Sequence, residues 1–540
     1  MTQVERSRVT PPLPVGPSGP NGSRARAVGR GSLANLVGTA VMALTLFGMT
    51  VVVTRGLDRD QAGLFFSSTA VFLLATSLGQ LGSNTGLVYF VSRSRSLKRG
   101  HQIDHYVSTA HRAVLTAAVA TALVLLLVAG PLSRVIAPGG DAEQAATYLR
   151  VFALFIPFAG YENVTLAATR GLGNMRTTVV VEQMGRSVLQ AVLVALSVWL
   201  LHGAGLGWAW AVGYVPAALL TGRAWRRLAR DIPRPSQSDL DAGSTRMQRR
   251  QSAAGWRREF WRFSAPRAVA SVGQQAVQRL DIILIGAISG PAAAAVYTAS
   301  TRFLVAGQMA NRAISTAVQP RLSESLARGD LETAKYLYRV STGWLTLLTW
   351  PVFLSLIVYG ERLMAVFGRG YDAGSVVLDI LSVSMLWGMA CGMVDMVLNM
   401  AGRTAWNLVN VGVAFGLNIG LDLWLIPQHS YVGAAIGWAV AIVASNSLAL
   451  SQIALSMKLH PFGRESLLSL GLPVLCYLLL PLGARPLVGS GSLGVAVGLV
   501  GSTVLYAGLL FWARHRLELL ALVSPGRSRR RTAVGETPSR

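Results

Sequence analysis

The stretch AVQRLDIILIGAISG, residues 276–290, reads as an apolar run with Arg279 and Asp281 set inside it. Counting back from Asp281, polar residues recur at Gln278, Gln274, Ser271, Arg267 and Ser264, in steps of three and four. That rhythm puts them on one face of an α-helix, with Val, Ala, Leu and Ile over most of the rest. Arg279 lies about 100° off the stripe, beside Gln275. A polar stripe on an apolar helix of this kind faces a wet cavity or another helix, not lipid. The segment is therefore expected to span a membrane and to line an internal space. Interhelical hydrogen bonding with no substrate is the plainer reading of the same stripe.

Composition extends this reading to the whole chain. The 540 residues are 52% hydrophobic and 14% charged, whereas a soluble domain carries about 25% charged residues. A membrane helix needs about 20 mostly apolar residues. Fourteen runs qualify: 33–54, 64–91, 108–133, 147–169, 177–201, 204–222, 264–288, 291–318, 339–359, 374–399, 404–426, 431–456, 466–484 and 491–513. The runs 64–91 and 291–318 are long, so tilt or amphipathic ends are expected there. The net charge of +25 is almost all arginine, with lysine only at Lys98, Lys335 and Lys458. No nucleic-acid-binding motif accompanies it, and nucleic acid is not an expected partner. Cys391 and Cys476 both fall in apolar runs, which excludes a disulfide framework and a cysteine metal site. The seven histidines are scattered, so neither a metal nor another cofactor is expected. His111 reads as a proton carrier or, more simply, as a helix-end residue.

Loop charges set the topology. With the N-terminus inside, the inner loops hold SRSRSLKR (92–99), RAWRRLAR (223–230), WRREFWR (256–262) and the basic tail with GRSRRR (526–531). The outer loops, such as PGGDAEQA, LHGAG and PQHS, are short and nearly free of positive charge. Positive charge collects on the cytoplasmic side, so a multi-pass protein of the cytoplasmic membrane with both termini in the cytoplasm is expected.

The chain also repeats itself at an offset of about 230 residues. RGLDRDQAGLFFSSTAVF (55–72) matches GAISGPAAAAVYTASTRF (286–303), the segment 134–154 matches 362–383, and TRGLGNMRT (169–177) matches LNMAGRTA (398–405). The expected fold is an all-α polytopic membrane protein of about 14 transmembrane helices: two six-helix bundles related by a parallel repeat, plus two C-terminal helices. Its expected segments are a disordered tail (1–31), a first lobe (32–222), a basic linker (223–262), a second lobe (263–456), two appended helices (457–513) and a basic tail (514–540). Parallel repeats place a substrate between the halves near the midplane.

Further charges lie inside spans: Glu162, Glu182, Arg186, Arg302, Arg312, Asp379, Asp395 and Asp422. Glu182 and Arg186 stand i,i+4 and are expected to neutralise each other. Arg312 follows Gln308 by one turn. Asp379 and Asp422 lie near outer helix ends and read as solvated. Asp395 and Asn399 form either a polar site or a packing pair.

Several of these stretches resemble motifs of the multidrug/oligosaccharidyl-lipid/polysaccharide exporter superfamily. They are TRGLDRDQAGLFFSS, LDIILIGAISGPAAAAVYTASTR, VQPRLSESLARGD, FGRGYDAGSVVLDIL and LNIGLDLWLIPQHSYVGAAIG. Asp58 stands where the family often has Gly. Fourteen helices look more like its polysaccharide and lipid II flippases than its twelve-helix drug exporters. The resemblance implies a flippase and not an enzyme, with no catalytic residues. It would move a lipid-linked oligosaccharide or polysaccharide precursor by alternating access, in company with the lipid bilayer and polysaccharide biosynthesis enzymes. A wet, cationic path suits an anionic sugar-pyrophosphate head group. Its expected residues are Arg267, Ser271, Gln274, Gln278, Arg279, Asp281, Arg302, Gln308 and Arg312. The alternative is a cation-coupled multidrug or small-molecule exporter, with Glu162, Glu182 and Asp281 as the acids coupling to protons or sodium. A membrane glycosyltransferase or polymerase would want a sizeable outer loop with carboxylates or His, and the longest loop here is the basic inner one.

Overall fold

The computed structural model describes residues 21–97, 99–138, 141–232, 246–488 and 491–513. Among the described residues, every regular element is a helix. In the first half, α1 is Asn21–Gly56, α2 is Arg59–Gly79 continued past a turn as Ser83–Ser96, and α3 is Gly100–Ile136. They are followed by α4 (Ala142–Gly171), α5 (Thr178–Leu201) and α6 (Leu206–Ala211, then Tyr214–Arg230). In the second half, α7 is Arg246–Ser289, α8 is Pro291–Thr301 then Val305–Ala327, α9 is Leu331–Met364, and α10 is Ser375–Cys391 then Val394–Met400. The helix Thr404–Met457 holds α11 and α12, and α13 (464–488) and α14 (Ser492–Ala513) complete the chain.

Among the described residues, ten helices are long and apolar enough to cross a membrane by length and composition alone. Thr404–Met457 is one of them but makes two passes, because Ser430 leaves helical geometry with φ 52° and ψ −134°. The chain doubles back there: a Cβ at Gly433 would collide with the Leu425 carbonyl, and one at Gly437 with the Asp422 carboxylate. Glycine at both positions lets α12 lie directly on α11. Three further passes fall short of the criterion. α6 is broken at 212–213, and α7 and α8 carry arginines in their apolar runs. The result is the fourteen-helix membrane fold.

The repeat is visible in packing. α3 packs on α4 as α9 packs on α10, and α1 packs on α5 as α7 packs on α11. The appended α13 and α14 pack on α9, where Leu347 and Leu354 meet Cys476, Tyr477 and Tyr506. Large apolar side chains such as Leu127, Leu455, Leu493 and Trp512 stay exposed around the helices. Such a surface belongs against lipid.

Two boundaries differ from the sequence reading. The span expected at 64–91 is broken at Leu81 and Gly82, both at positive φ. The break lets α7 come close, since a Cβ at Gly82 would collide with the Ser264 carbonyl. Helix α1 begins at Asn21, so the end of the segment expected as a tail through residue 31 is helical. The remainder of that tail, residues 233–245 of the linker and the tail 514–540 lie outside the described residues.

Candidate functional site: the seam between the bundles

The first half of α2 lies along α7 and the start of α8. Small residues make this closeness feasible: Gly63 sits on the Pro291 carbonyl, and Gly286 on the Ser67 hydroxyl. At the α1 end of the seam, Phe47 meets Phe303 edge-on and Phe367 at a tilt, with ring centroids 5.3 and 5.4 Å apart. Arg55 Nε donates to the Val366 carbonyl at 2.7 Å, and Asp60 accepts from the Ala292 backbone N–H at 3.3 Å. At the opposite end, Phe260 of α7 is fully buried among Phe90, Tyr106 and Leu87 of the first bundle. Glu259 there accepts from Arg93 at 3.0 Å and from the Tyr106 hydroxyl at 3.1 Å. The bundles thus touch at both ends of the seam.

Between these contacts lie Arg279 and Arg302. Arg279 is on α7 beside Gln275, and Arg302 occupies the single 3-10 turn Arg302–Leu304 that interrupts α8. Such a turn inside a helix often marks a functional break. Both side chains are partly buried, and the Nε of each has no hydrogen-bond acceptor. The two cations are near enough to repel each other, and Arg279 lies near Tyr214 of α6. Neither has an ion-pair partner among the described residues. A buried charge without a counter-charge is costly. Gln275 Oε1 is unpartnered as well.

The expected polar stripe divides among three surroundings. Ser264 is buried against Gly86 of the first bundle. Gln274 and Gln278 are exposed, and Ser271 donates back to the Ala268 carbonyl. Asp281 turns into the second bundle, so the expectation that it shares the path of Gln274 is corrected. Gln274 and Asp281 are one heptad apart and differ by only about 20° around the helix; what separates them is the surroundings, since Tyr297 of α8 and Asp422 of α11 cover Asp281. Arg312 is exposed and Gln308 half-buried on α8. Arg267 is exposed, donates to the Phe263 carbonyl at 2.8 Å and lies 3.6 Å from the Phe263 ring centroid. With Arg93 and Arg170 it lines a cavity of about 870 Å³.

The acids sort differently from the sequence expectation. Arg186 does not pair with Glu182. Its Nε meets Glu162 Oε1 at 3.2 Å, its Nη1 donates to Gln190, and its guanidinium sits 4.6 Å above the Tyr214 ring. Glu182 lies 3.9 Å from Arg170. Thr178–Arg186 winds as a π-helix, and Arg186 points from it to Glu162 on the neighbouring α4, a contact that spacing within one helix does not reveal. His111 is held by the Val107 carbonyl at 2.9 Å and the Thr165 hydroxyl at 3.0 Å, a helix-packing role.

Asp281 joins residues that the sequence reading passed over. The Tyr297 hydroxyl donates to its Oδ2 at 2.7 Å. Asp422, read as solvated, is fully buried, and Asn418 Nδ2 donates to its Oδ2 at 3.3 Å. The two carboxyl groups adjoin, and the Oδ1 of each lacks a partner. The Asn418–Asp422 spacing of one helical turn was the signal available in the sequence. What hid the pairing was the fold-back at Ser430, which covers Asp422 with α12.

A family model described as polysaccharide biosynthesis protein matches residues 28–326, and one described as MatE matches residues 266–424. No curated protein matches the chain. Among solved structures, the lipid II flippase MurJ in an inward closed conformation is similar with a TM-score of 0.66 at 14% identity, over 89% of this chain and 99% of that one. An inward-facing multidrug resistance MATE family transporter of the MOP superfamily gives 0.61 at 15% identity, over 77% and 94%. A MOP superfamily transporter from Pyrococcus furiosus gives 0.55 at 16% identity, over 80% and 96%. At these identities the likeness is one of fold.

Proposed function

Because the chain belongs to the polysaccharide biosynthesis protein family, we propose that it is a flippase carrying a lipid-linked oligosaccharide or polysaccharide precursor across the cytoplasmic membrane. The observation that carries this reading is the pair Arg279 and Arg302, held in the seam without a counter-charge. A sugar-pyrophosphate head group supplies the missing anion, and guanidinium forks suit its oxygens. The Gln275 amide, with its Oε1 unpartnered, offers a polar group to the sugar. The lipid tail stays in the bilayer, with α13 and α14 as flanking helices.

Alternating access follows from the two end contacts. Release of the Glu259–Arg93–Tyr106 group and the Phe260 cluster opens one side of the seam, and release of the Arg55–Val366 and Asp60–Ala292 bonds opens the other. Asp281 and Asp422 supply the coupling site: two adjoining buried carboxyls require a shared proton or a sodium ion between them. Glu162 and Glu182 already have arginine partners and serve the fold. Arg267, Gln274, Gln278, Gln308 and Arg312 border the path.

The test is a choice of cargo. In proteoliposomes of the full chain, a lipid-linked oligosaccharide should become accessible to a glycosidase outside, while a small cationic dye should stay put. Gradient-driven movement of the dye with no flipping of the oligosaccharide would replace this reading with the exporter.

A further inference from the structure

The first bundle carries a second ligand-shaped feature, remote from the seam. A cavity of about 280 Å³ lies between α3, α4 and α6, lined by Leu115, Pro157, Phe158, Tyr161, Ala218, Leu219, Gly222 and Arg226. Its wall is apolar except at one end, where Arg226 stands. Leu219 and Phe158 are 55% and 42% exposed, so the groove opens on the lipid-facing side. On α6, residues 218, 222 and 226 are successive turns of one face, and on α4, 157 and 161 are likewise. The groove therefore runs along the helices, as an acyl chain would.

Its shape is built by small residues. A Cβ at Gly222 would collide with the Tyr161 ring and hydroxyl, so glycine lets that ring lie flat against α6. The ring is also held edge-on by His111, with centroids 5.3 Å apart. The basic end is equally specific. Arg226 donates to its own helix at Gly222 only at 3.4 Å, and Arg223, Arg227 and Arg230 crowd the same helix terminus. Arg223, Arg226, Arg227 and Arg230 are all exposed and have no ion-pair partner among the described residues.

We propose that this groove is a binding site for an anionic phospholipid, with one acyl chain along Leu115, Phe158 and Leu219 and the phosphate on Arg226. The charge pattern selects the occupant. An apolar groove alone would take any acyl chain, whereas unpaired arginines at a membrane interface favour lipids with a net negative head group. Its lining comes entirely from the first bundle, which sets it apart from the seam between the bundles.

The test titrates phosphatidylglycerol and phosphatidylcholine into the purified full chain in detergent and counts bound lipid by native mass spectrometry. Phosphatidylglycerol should bind preferentially. Arg226→Gln should weaken it about fivefold, the worth of one interfacial arginine, and should weaken phosphatidylcholine, whose choline offsets the phosphate charge, clearly less. Leu115→Trp, which fills the groove, should lower the binding of both. Equal binding of the two lipids would overturn the proposal. So would an Arg230→Gln loss as large as that of Arg226→Gln, since that result describes a diffuse basic surface and not a site.

Discussion

Removing Arg186 should destabilise the protein strongly, whereas removing Arg279 or Arg302 should not. Arg186 meets Glu162 at 3.2 Å, and Glu162 is 2% exposed. Arg186→Ala leaves that carboxylate buried with no counter-charge, a loss of about 3–5 kcal/mol. The lost stacking on Tyr214 adds about 1 kcal/mol. A change of about 4 kcal/mol lowers the folded-to-unfolded ratio roughly a thousandfold, a large share of a stability of about 5–15 kcal/mol. Arg279 and Arg302 have no acid to orphan, and they repel each other. Their substitution by Gln should change stability by less than about 1 kcal/mol. Thermal unfolding of each purified full-length variant, followed by size-exclusion recovery, reads the difference. The double variant Glu162→Leu, Arg186→Met should recover much of the loss, because it buries no lone charge. A melting temperature for Arg279→Gln as low as that for Arg186→Ala would refute the division into structural and cargo-binding arginines.

Asp281→Asn and Asp422→Asn should each leave a folded protein whose transport no longer responds to an imposed proton or sodium gradient; an unchanged response in both variants would remove the coupling site. Gly63→Ala should pry α2 from Pro291 and raise thiol labelling of an introduced Ser67→Cys, against a background in which Cys391 and Cys476 are both buried; labelling no faster than in the Gly63 parent would contradict the seam as drawn. Reporters fused after residues 458 and 540 should sit on the same side of the membrane and opposite to one inserted at 203; a periplasmic-type signal at 540 would break the fourteen-helix topology.

The fold was legible because two signals in the sequence are physical requirements of a bilayer. Apolar runs long enough to cross it, and arginine concentrated in alternate loops, fix passes and order without any tertiary knowledge. The repeat added the pairing of the halves. Local interruptions were not legible. Nothing in TVVVEQMGR announces a π-helix, and nothing in it shows that Glu162 of α4 lies within reach of Arg186. The coupling acids were half visible: Asp281 stood out inside an apolar run, while Asp422 looked like a helix-end residue until the glycines at 433 and 437 laid α12 over it. Arg279 and Arg302 were readable as charges in a greasy segment, but their lack of partners is a fact of three dimensions.

The most direct test of the cationic seam is the flipping rate of the double variant Arg279→Gln, Arg302→Gln in proteoliposomes, at protein amounts matched to the parent chain. Each charge-assisted hydrogen bond to an anion contributes about 1.5–3 kcal/mol. Loss of both guanidiniums should therefore slow translocation of a lipid-linked oligosaccharide by at least about tenfold, with insertion and melting temperature preserved. A double variant that is folded and flips at the parental rate would contradict the account.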